Sequence, residues 1–160
     1  PHAECLATVG RFRGLPHRLE YVGEYQGRRF YDDSKATTPE AAIAALQAFG
    51  SPLIVLAGGS SKGVDLRLFA SELARRAKAV SLMGATAGEL NQLMAAEPPY
   101  GVSSMRRVAV DFPSAFAWAF EQSSPGDVIL LSPGCASYGW FRDYAERGAR
   151  FRELLEGLPR

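Results

Sequence analysis

From residue 39 onward the chain alternates between short, unbroken apolar runs and longer stretches in which apolar residues recur at helical spacing. LIVLA (53–57), AVSLM (79–83), RVAV (107–110) and DVILLS (127–132) are runs of the length and continuity of strands buried on both faces. Between them lie stretches of helical character. EAAIAALQAF follows Pro39 and stops at Gly50; LRLFASELARRA places apolar residues at 66, 69, 70, 73 and 77; TAGELNQLMAAE and PSAFAWAFEQ follow the next two strands. A last helix runs to about Leu155. Its start is set near Tyr144 by Asp143 and Glu146, spaced as a capping pair, and it has Tyr144, Phe151, Leu154 and Leu155 on one face. Upstream, LEYVGEY (19–25) and RRFYD (28–32) are β-rich and joined by Gln26-Gly27, a hairpin signal. Alternating strands and helices of these lengths predict an α/β, Rossmann-like, mostly parallel sheet with helices on both faces, preceded by an N-terminal β-hairpin. Residues 1–14, polar and without period, are expected to be an interdomain linker, and 15–160 one folded domain.

Composition narrows the function classes. The 160 residues are 47% hydrophobic and 22% charged, with net charge +1, which excludes disordered and fibrous classes. Basic residues form no run longer than a pair, so nucleic acid and anionic membranes are not expected partners. No segment approaches the ~18 consecutive apolar residues of a membrane span, and the first residues lack the features of a signal peptide, so a cytoplasmic protein is expected. The first residue is not Met, which suggests part of a longer polypeptide. Cys5 and Cys135 make no disulfide framework or metal spacing. The basic residues are fifteen Arg and only three Lys, at 35, 62 and 78. Lys78, between a helix and a strand, reads as ordinary surface charge.

Ligands of such sheets bind at the carboxyl ends of the strands, which singles out residues 32–39, 58–65, 84–88 and 132–143. The first, DDSKATTP, sets two carboxylates, an ammonium and three hydroxyls before a helix. There Lys35 can neutralise a carboxylate or phosphate, Thr37 can donate to it, and Asp33 can hold a ribose hydroxyl or a metal-bound water. Helix capping by Thr37 or Thr38 is the plainer alternative. The second, GGSSKGVD, is neither GxxxxGK[ST] nor GxGxxG; it is a glycine-rich loop that brings Lys62 to the ligand edge, or a turn whose lysine meets only water. The last carries Cys135 and Ser137, and a carboxylate could bridge Ser137 and the backbone N–H of Tyr144. With only His2 and His17 in the chain, Cys135 is better read as a buried small thiol than a nucleophile. Phe112, Phe116, Trp118 and Phe120 fit core packing; Trp140 and Phe141 suit a lid or pocket wall.

FRGLPHRLE (12–20), DDSKATTPEA (32–41), AGGSSKGVD (57–65) and LLSPGCASYGWFRDYAERGARF (130–151) together resemble the C-terminal domain of the bacterial Mur ligases, most of all those that add D-glutamate. The D-S-K-A-T element is the most specific of these. The resemblance implies an ATP- and Mg²⁺-dependent amide ligase of peptidoglycan precursor synthesis, in which the carboxylate of UDP-N-acetylmuramoyl-L-alanine is phosphorylated and then attacked by the amine of D-glutamate. It further implies that Thr37 and Lys62 hold the α-carboxylate of D-glutamate, and Ser137 and the Tyr144 backbone its side-chain carboxylate. Lys35 and Asp33 would face the nucleotide and reacting phosphates, Arg18 with His17 would reach ATP, and Lys35 and Lys62 would act as the catalytic cations. Tyr144 stands where the family commonly has Phe, Thr38 where Asn, and Gly134 where Ala; a contact through the Tyr144 backbone tolerates the first. The ATP-binding central and UDP-binding N-terminal domains are absent, so an inactive isolated domain and a monomeric parent are expected. The alternatives are a ligase for another amino acid, a folylpolyglutamate synthase, or a non-catalytic nucleotide-binding Rossmann module, against which the missing glycine fingerprint weighs.

Overall fold

A computed structural model describes residues 14–97 and 105–159. The expected linker, apart from Gly14, lies outside the described residues, as do His2 and Cys5. The elements run β1 (Glu20–Tyr25), β2 (Arg28–Asp32), α1 (Pro39–Gln47), β3 (Leu53–Gly58), α2 (Arg67–Arg76), β4 (Ala77–Met83), α3 (Ala87–Ala96), β5 (Met105–Val108), α4 (Phe112–Glu121), β6 (Val128–Leu131) and α5 (Tyr144–Glu156). One sheet contains all six strands in the order β1-β2-β6-β3-β4-β5. Only β1 is antiparallel to its neighbour; every other pairing is parallel. The α/β, mostly parallel expectation is borne out, with one refinement. The hairpin is an edge of the sheet itself, because β2 pairs along its length with β6.

The hairpin turn forms as its residues dictate. Gln26 and Gly27 both have positive φ, 49° and 74°, the backbone of a type I′ turn, whose twist matches that of the flanking strands. The continuous apolar runs divide between two cores. On β3, Leu53, Val55 and Ala57 face α1, α2 and α3, whereas Ile54 and Leu56 face α4 and α5. On β6, Val128 and Leu130 take the first side, Ile129 and Leu131 the second. The second core is aromatic. Phe30 stacks on Phe116 at 5.9 Å, and Phe116 meets Phe151 edge-on at 5.5 Å. Each such fully buried side chain contributes about 1.5–3 kcal/mol, enough to fix the register of a strand as short as β6.

Some boundaries differ from the sequence reading. β4 begins at Ala77, two residues early, because the ladder shifts there: Leu53 pairs with Ala77 and Ile54 with Ala79. The shift leaves Lys78 without a partner in β3. It is not ordinary surface charge, for its ammonium lies 2.7 Å from the carboxylate of Asp127, which is buried beside β6. β5 spans Met105–Val108 rather than 107–110 and is exposed throughout. α4 begins at Phe112 because Asp111 and Ser114 form a reciprocal capping box, a signal the sequence reading passed over. Asp143 caps α5 as expected, accepting the Glu146 N–H at 2.8 Å, while the Glu146 carboxylate accepts the Arg142 N–H at 2.7 Å. No helix among the described residues is long and apolar enough to cross a membrane.

Gly148, inside α5, is where the last helix meets the start of the domain. A Cβ there would stand 2.3 Å from His17 Nδ1 and 2.6 Å from Asp32 Oδ2. Glycine in a helix interior ordinarily costs about 1 kcal/mol relative to alanine. Here the sign reverses: Gly148→Ala is expected to destabilise the domain by about 1–3 kcal/mol through overpacking, measured by urea unfolding. A gain in stability would show that His17 yields freely.

Candidate functional site

The three loops richest in polar groups leave β2, β6 and β3, which are neighbours in the sheet. Chain direction explains the crevice. From β3 the chain continues outward to β4 and β5, whereas β6 lies on its other side, so the loops after β3 and β6 diverge at a topological switch point. Backbone contacts then knit them together. The Gly58 N–H donates to Pro133 O at 2.8 Å, Ser60 N–H to Ala136 O at 2.8 Å, and Gly134 N–H to Ala36 O at 2.9 Å. Glycine at 59 is required by this approach, since a Cβ would come within 2.1 Å of Ala136 O. Thr86, in the loop after β4, both accepts from the Gly59 N–H at 3.0 Å and donates to Gly59 O at 3.2 Å.

The loop after β2 is pinned from within. Asp33 is buried, one carboxylate oxygen accepting from Leu19 N–H at 3.1 Å and the other from the Ser132 hydroxyl at 2.8 Å. Burial pushes its carboxyl up to about 6, against those two hydrogen bonds and Arg18. Asp32 pairs with His17 Nδ1 at 2.7 Å and with Arg152 at 3.1 Å, and Arg152 also holds Glu20 at 2.5 Å. His17, Glu20 and Asp32 are close enough together for a metal ion, but Arg152 already bonds to both carboxylates. The His17 carbonyl accepts the Lys35 N–H at 3.0 Å, so this network fixes the backbone of the lysine. The Lys35 ammonium lies 5.7 Å from the Tyr144 ring centroid. Thr38 occupies the N-cap position of α1 with no side-chain cap bond, and Thr37 N–H instead closes a tight turn onto Lys35 O at 2.9 Å. The capping alternative for Thr38 is therefore not realised.

Two small clefts open between the loops. Thr37, Ser60, Lys62, Thr86 and Cys135 are among the residues lining the first. The second is lined by Gly58, Gly59, Gly84, Ser137, Trp140 and Arg147, among others. Thr37 and Lys62, distant in sequence, thus line one cleft, and Ser137 borders the neighbouring space. Tyr144, half-buried, lines neither cleft, but its carbonyl accepts from the Ser34 hydroxyl at 2.8 Å, and that hydroxyl in turn accepts from Arg147, which lines the second. Arg18 is exposed and His17 is engaged with Asp32. A third space, a groove of ≈ 890 Å³ lined by residues including Phe112, Trp140, Phe141, Arg142 and Arg150, runs beside α5, and Trp140 and Phe141 form walls as expected. Sequence reading missed Thr86, Arg147 and Arg152. Thr86 lay in a loop already singled out, and its signal was a lone hydroxyl between small residues. The two arginines sit on a helix among surface-type residues, and nothing in their spacing marks them.

The fold and the site define a single-sheet α/β domain that presents cationic and hydroxyl side chains at the β3/β6 switch point. The chain belongs to the Mur ligase family: the model of its glutamate ligase domain matches residues 17–135. Among its relatives, the UDP-N-acetylmuramoylalanine--D-glutamate ligase of Pelotomaculum thermopropionicum is 40% identical over 153 residues, 96% of this chain and 33% of that protein. The enzyme of the same name from Roseiflexus sp. is 43% identical over 153 residues, 94% of this chain and 32% of its own. The chain thus spans about a third of the length of the curated relatives it matches. A pseudomurein peptide ligase type C from Methanothermus fervidus shares the fold at a TM-score of 0.64 and 15% identity, over 99% of this chain and 32% of that one. So does a bifunctional folylpolyglutamate synthase/dihydrofolate synthase from Yersinia pestis, at 0.60 and 18%, over 91% and 32%.

The buried carboxyl of Asp33 has a pH signature. Its folded value, about 6, lies above the ordinary 3.8, so between these the folded state binds the proton more tightly and the contribution of Asp33 to stability falls as pH rises. The stability of the unaltered domain minus that of Asp33→Asn is therefore expected to decline from pH 4 to pH 7, measured by urea unfolding at each pH. A flat or rising difference would mean that Asp33 ionises at least as easily as in the unfolded chain.

Proposed function

We propose that the chain is the C-terminal, amino-acid-binding domain (residues 15–160, after a linker at 1–14) of a ligase that joins D-glutamate to UDP-N-acetylmuramoyl-L-alanine in peptidoglycan precursor synthesis. The observation that carries this reading is the shared name of relatives at about 40% identity across nearly the whole chain. The cleft between Thr37 and Lys62, next to Ser137, supports it. ATP, bound with Mg²⁺ mainly by other domains of the parent enzyme, supplies the phosphoryl group that turns the acceptor carboxylate into an acyl phosphate.

The residues of this domain bind and orient. Lys62 and the Thr37 hydroxyl hold the α-carboxylate of D-glutamate, a point charge and a neutral donor in one cleft. Ser137, with the first-turn N–H of Tyr144, holds the side-chain carboxylate. The amine is left free to attack the activated carbonyl carbon, with phosphate as leaving group, and holding it at reacting distance is the main catalytic effect available to a binding domain. Lys35 and Arg18 face the nucleotide phosphates and offset the charge that accumulates there. Asp33 and His17, occupied by internal partners, serve that edge by fixing the backbone around Arg18 and Lys35. With acceptor and nucleotide held elsewhere, the isolated domain turns over no substrate, and closure of the domains brings amine and acyl phosphate together. Substrates of this kind place the reaction in the cytoplasm.

Titration of the ¹⁵N-labelled chain with D-glutamate, L-glutamate and NADH tests the reading. D-glutamate is expected to shift the amides of Thr37, Lys62 and Ser137, L-glutamate to shift them less, and NADH to leave them unmoved. Equal response to both enantiomers, or a response to NADH alone, would overturn it. In the full-length ligase, Lys62→Ala is expected to raise KM for D-glutamate at least about tenfold, the loss of one charge-assisted bond, and that for ATP by less than about twofold.

A further inference from the structure

Arg147 is the largest fully buried side chain of the domain, 1% exposed, and it takes part in no ion pair among the described residues. Its nearest acceptors are neutral: Nε donates to the Ser34 hydroxyl at 2.9 Å, Nη2 to Ser34 O at 2.8 Å and Nη1 to Cys135 O at 3.2 Å. Three of the five N–H groups of the fork are thereby used. Burial pulls its pKa down to about 10, so it is still cationic at neutral pH. A buried cation without a counter-ion is costly. Asp32, the acid that acts on it from a distance, is already paired with His17 and Arg152.

The surroundings indicate what completes the pair. Arg147 is the single charged residue lining the cleft that contains Ser137; the others are glycines and apolar or neutral side chains. Cys135 lines the neighbouring cleft beside Lys62. Burial raises its thiol pKa, the Thr86 hydroxyl and Arg147 act to lower it, and Glu89 and Lys62 act in opposite directions, so Arg147 is the leading cation felt at this point. A ligand with one carboxylate at Lys62 and Thr37 and another beside Ser137 would meet a cation at each end.

We propose that Arg147 is the specificity-determining cation of the second cleft, balancing the side-chain carboxylate of a dicarboxylic amino acid whose α-carboxylate lies at Lys62 and Thr37. This rests on the amino-acid site proposed above. Ser137 alone, a neutral donor, would accept a side-chain amide almost as well as a carboxylate; the buried guanidinium separates the two.

The test compares D-glutamate with D-glutamine, its amide, by NMR titration of the chain with observation of the Arg147 Nε–H. D-glutamate is expected to shift that resonance and to bind at least about tenfold more tightly than D-glutamine, the range of a charge-assisted bond. Arg147→Lys should keep the preference. Arg147→Gln should abolish it while changing D-glutamine binding less than about twofold, and Ser34→Ala, which removes an acceptor but no charge, should leave it intact. An unmoved Arg147 Nε–H, or Arg147→Gln and Arg147→Lys weakening both ligands equally, would overturn the proposal and leave Arg147 a clamp between loops. Should Arg147→Gln fail to fold on thermal melting, the Nε–H shift and the preference in the unaltered chain decide. Absence of any D-glutamate shift at Thr37 and Lys62 in the unaltered chain would instead refute the site itself.

Discussion

The site depends on the insertion of four residues, Val128 to Leu131, between β2 and β3. Among the described residues β6 is the one strand that pairs with both, and it joins the hairpin to the β3-β4-β5 ladder. All four of its side chains are fully buried, alternately against the two cores. The ladder continues past the strand into the loops, with Asp33 N–H donating to Leu131 O at 2.8 Å and Ser132 N–H to Leu56 O at 3.3 Å. The three site loops are therefore extensions of one hydrogen-bonded lattice, and their relative positions are set by strand register more than by their own sequences.

Charge is sorted unevenly on this frame. The two acids that follow one another at the end of β2 are engaged internally: Asp32 by His17 and Arg152, Asp33 by Leu19 and Ser132. Three cations near the ligand edge have no carboxylate partner among the described residues, although Arg142 there pairs with Glu146. Lys62 is exposed, Lys35 rests near an aromatic ring, and Arg147 is bonded to neutral oxygens. In a chain of net charge +1, these three cations thus stand near one crevice without an ion-pair partner among the described residues.

The strands, the helices and the three loops were legible because they rest on local signals: unbroken apolar runs, Pro39 and Gly50 around α1, the Asp143–Glu146 cap, and Gln26-Gly27 at the turn. The resemblance of four segments to the Mur ligases was legible for the same reason, since each is contiguous. What escaped was non-local. The joining of the hairpin to β6 is decided by pairing across about a hundred residues, and the early start of β4 by a bulge that sends Lys78 to Asp127. Arg147 looked like a solvated helix residue because its burial depends on loops that only the tertiary fold places beside it, and the internal partners of Asp33 and His17 were hidden likewise. The structure brings Thr37 and Lys62 to one cleft, while Tyr144 lines neither cleft and meets the second only through Ser34 and Arg147.

The strand order also governs how the domain must form. A hairpin made early in the chain finds its parallel partner only when residues 128–131 arrive, so closing the sheet carries the entropic cost of a loop on the order of a hundred residues. Until then β2 and β3 both present unpaired inner edges rich in apolar groups, surfaces that in an incomplete chain invite pairing with other strands. Truncations that end before β6 are accordingly the forms of this protein most prone to aggregate, while a break within residues 98–104, between α3 and β5, leaves the closing strand and both its neighbours intact.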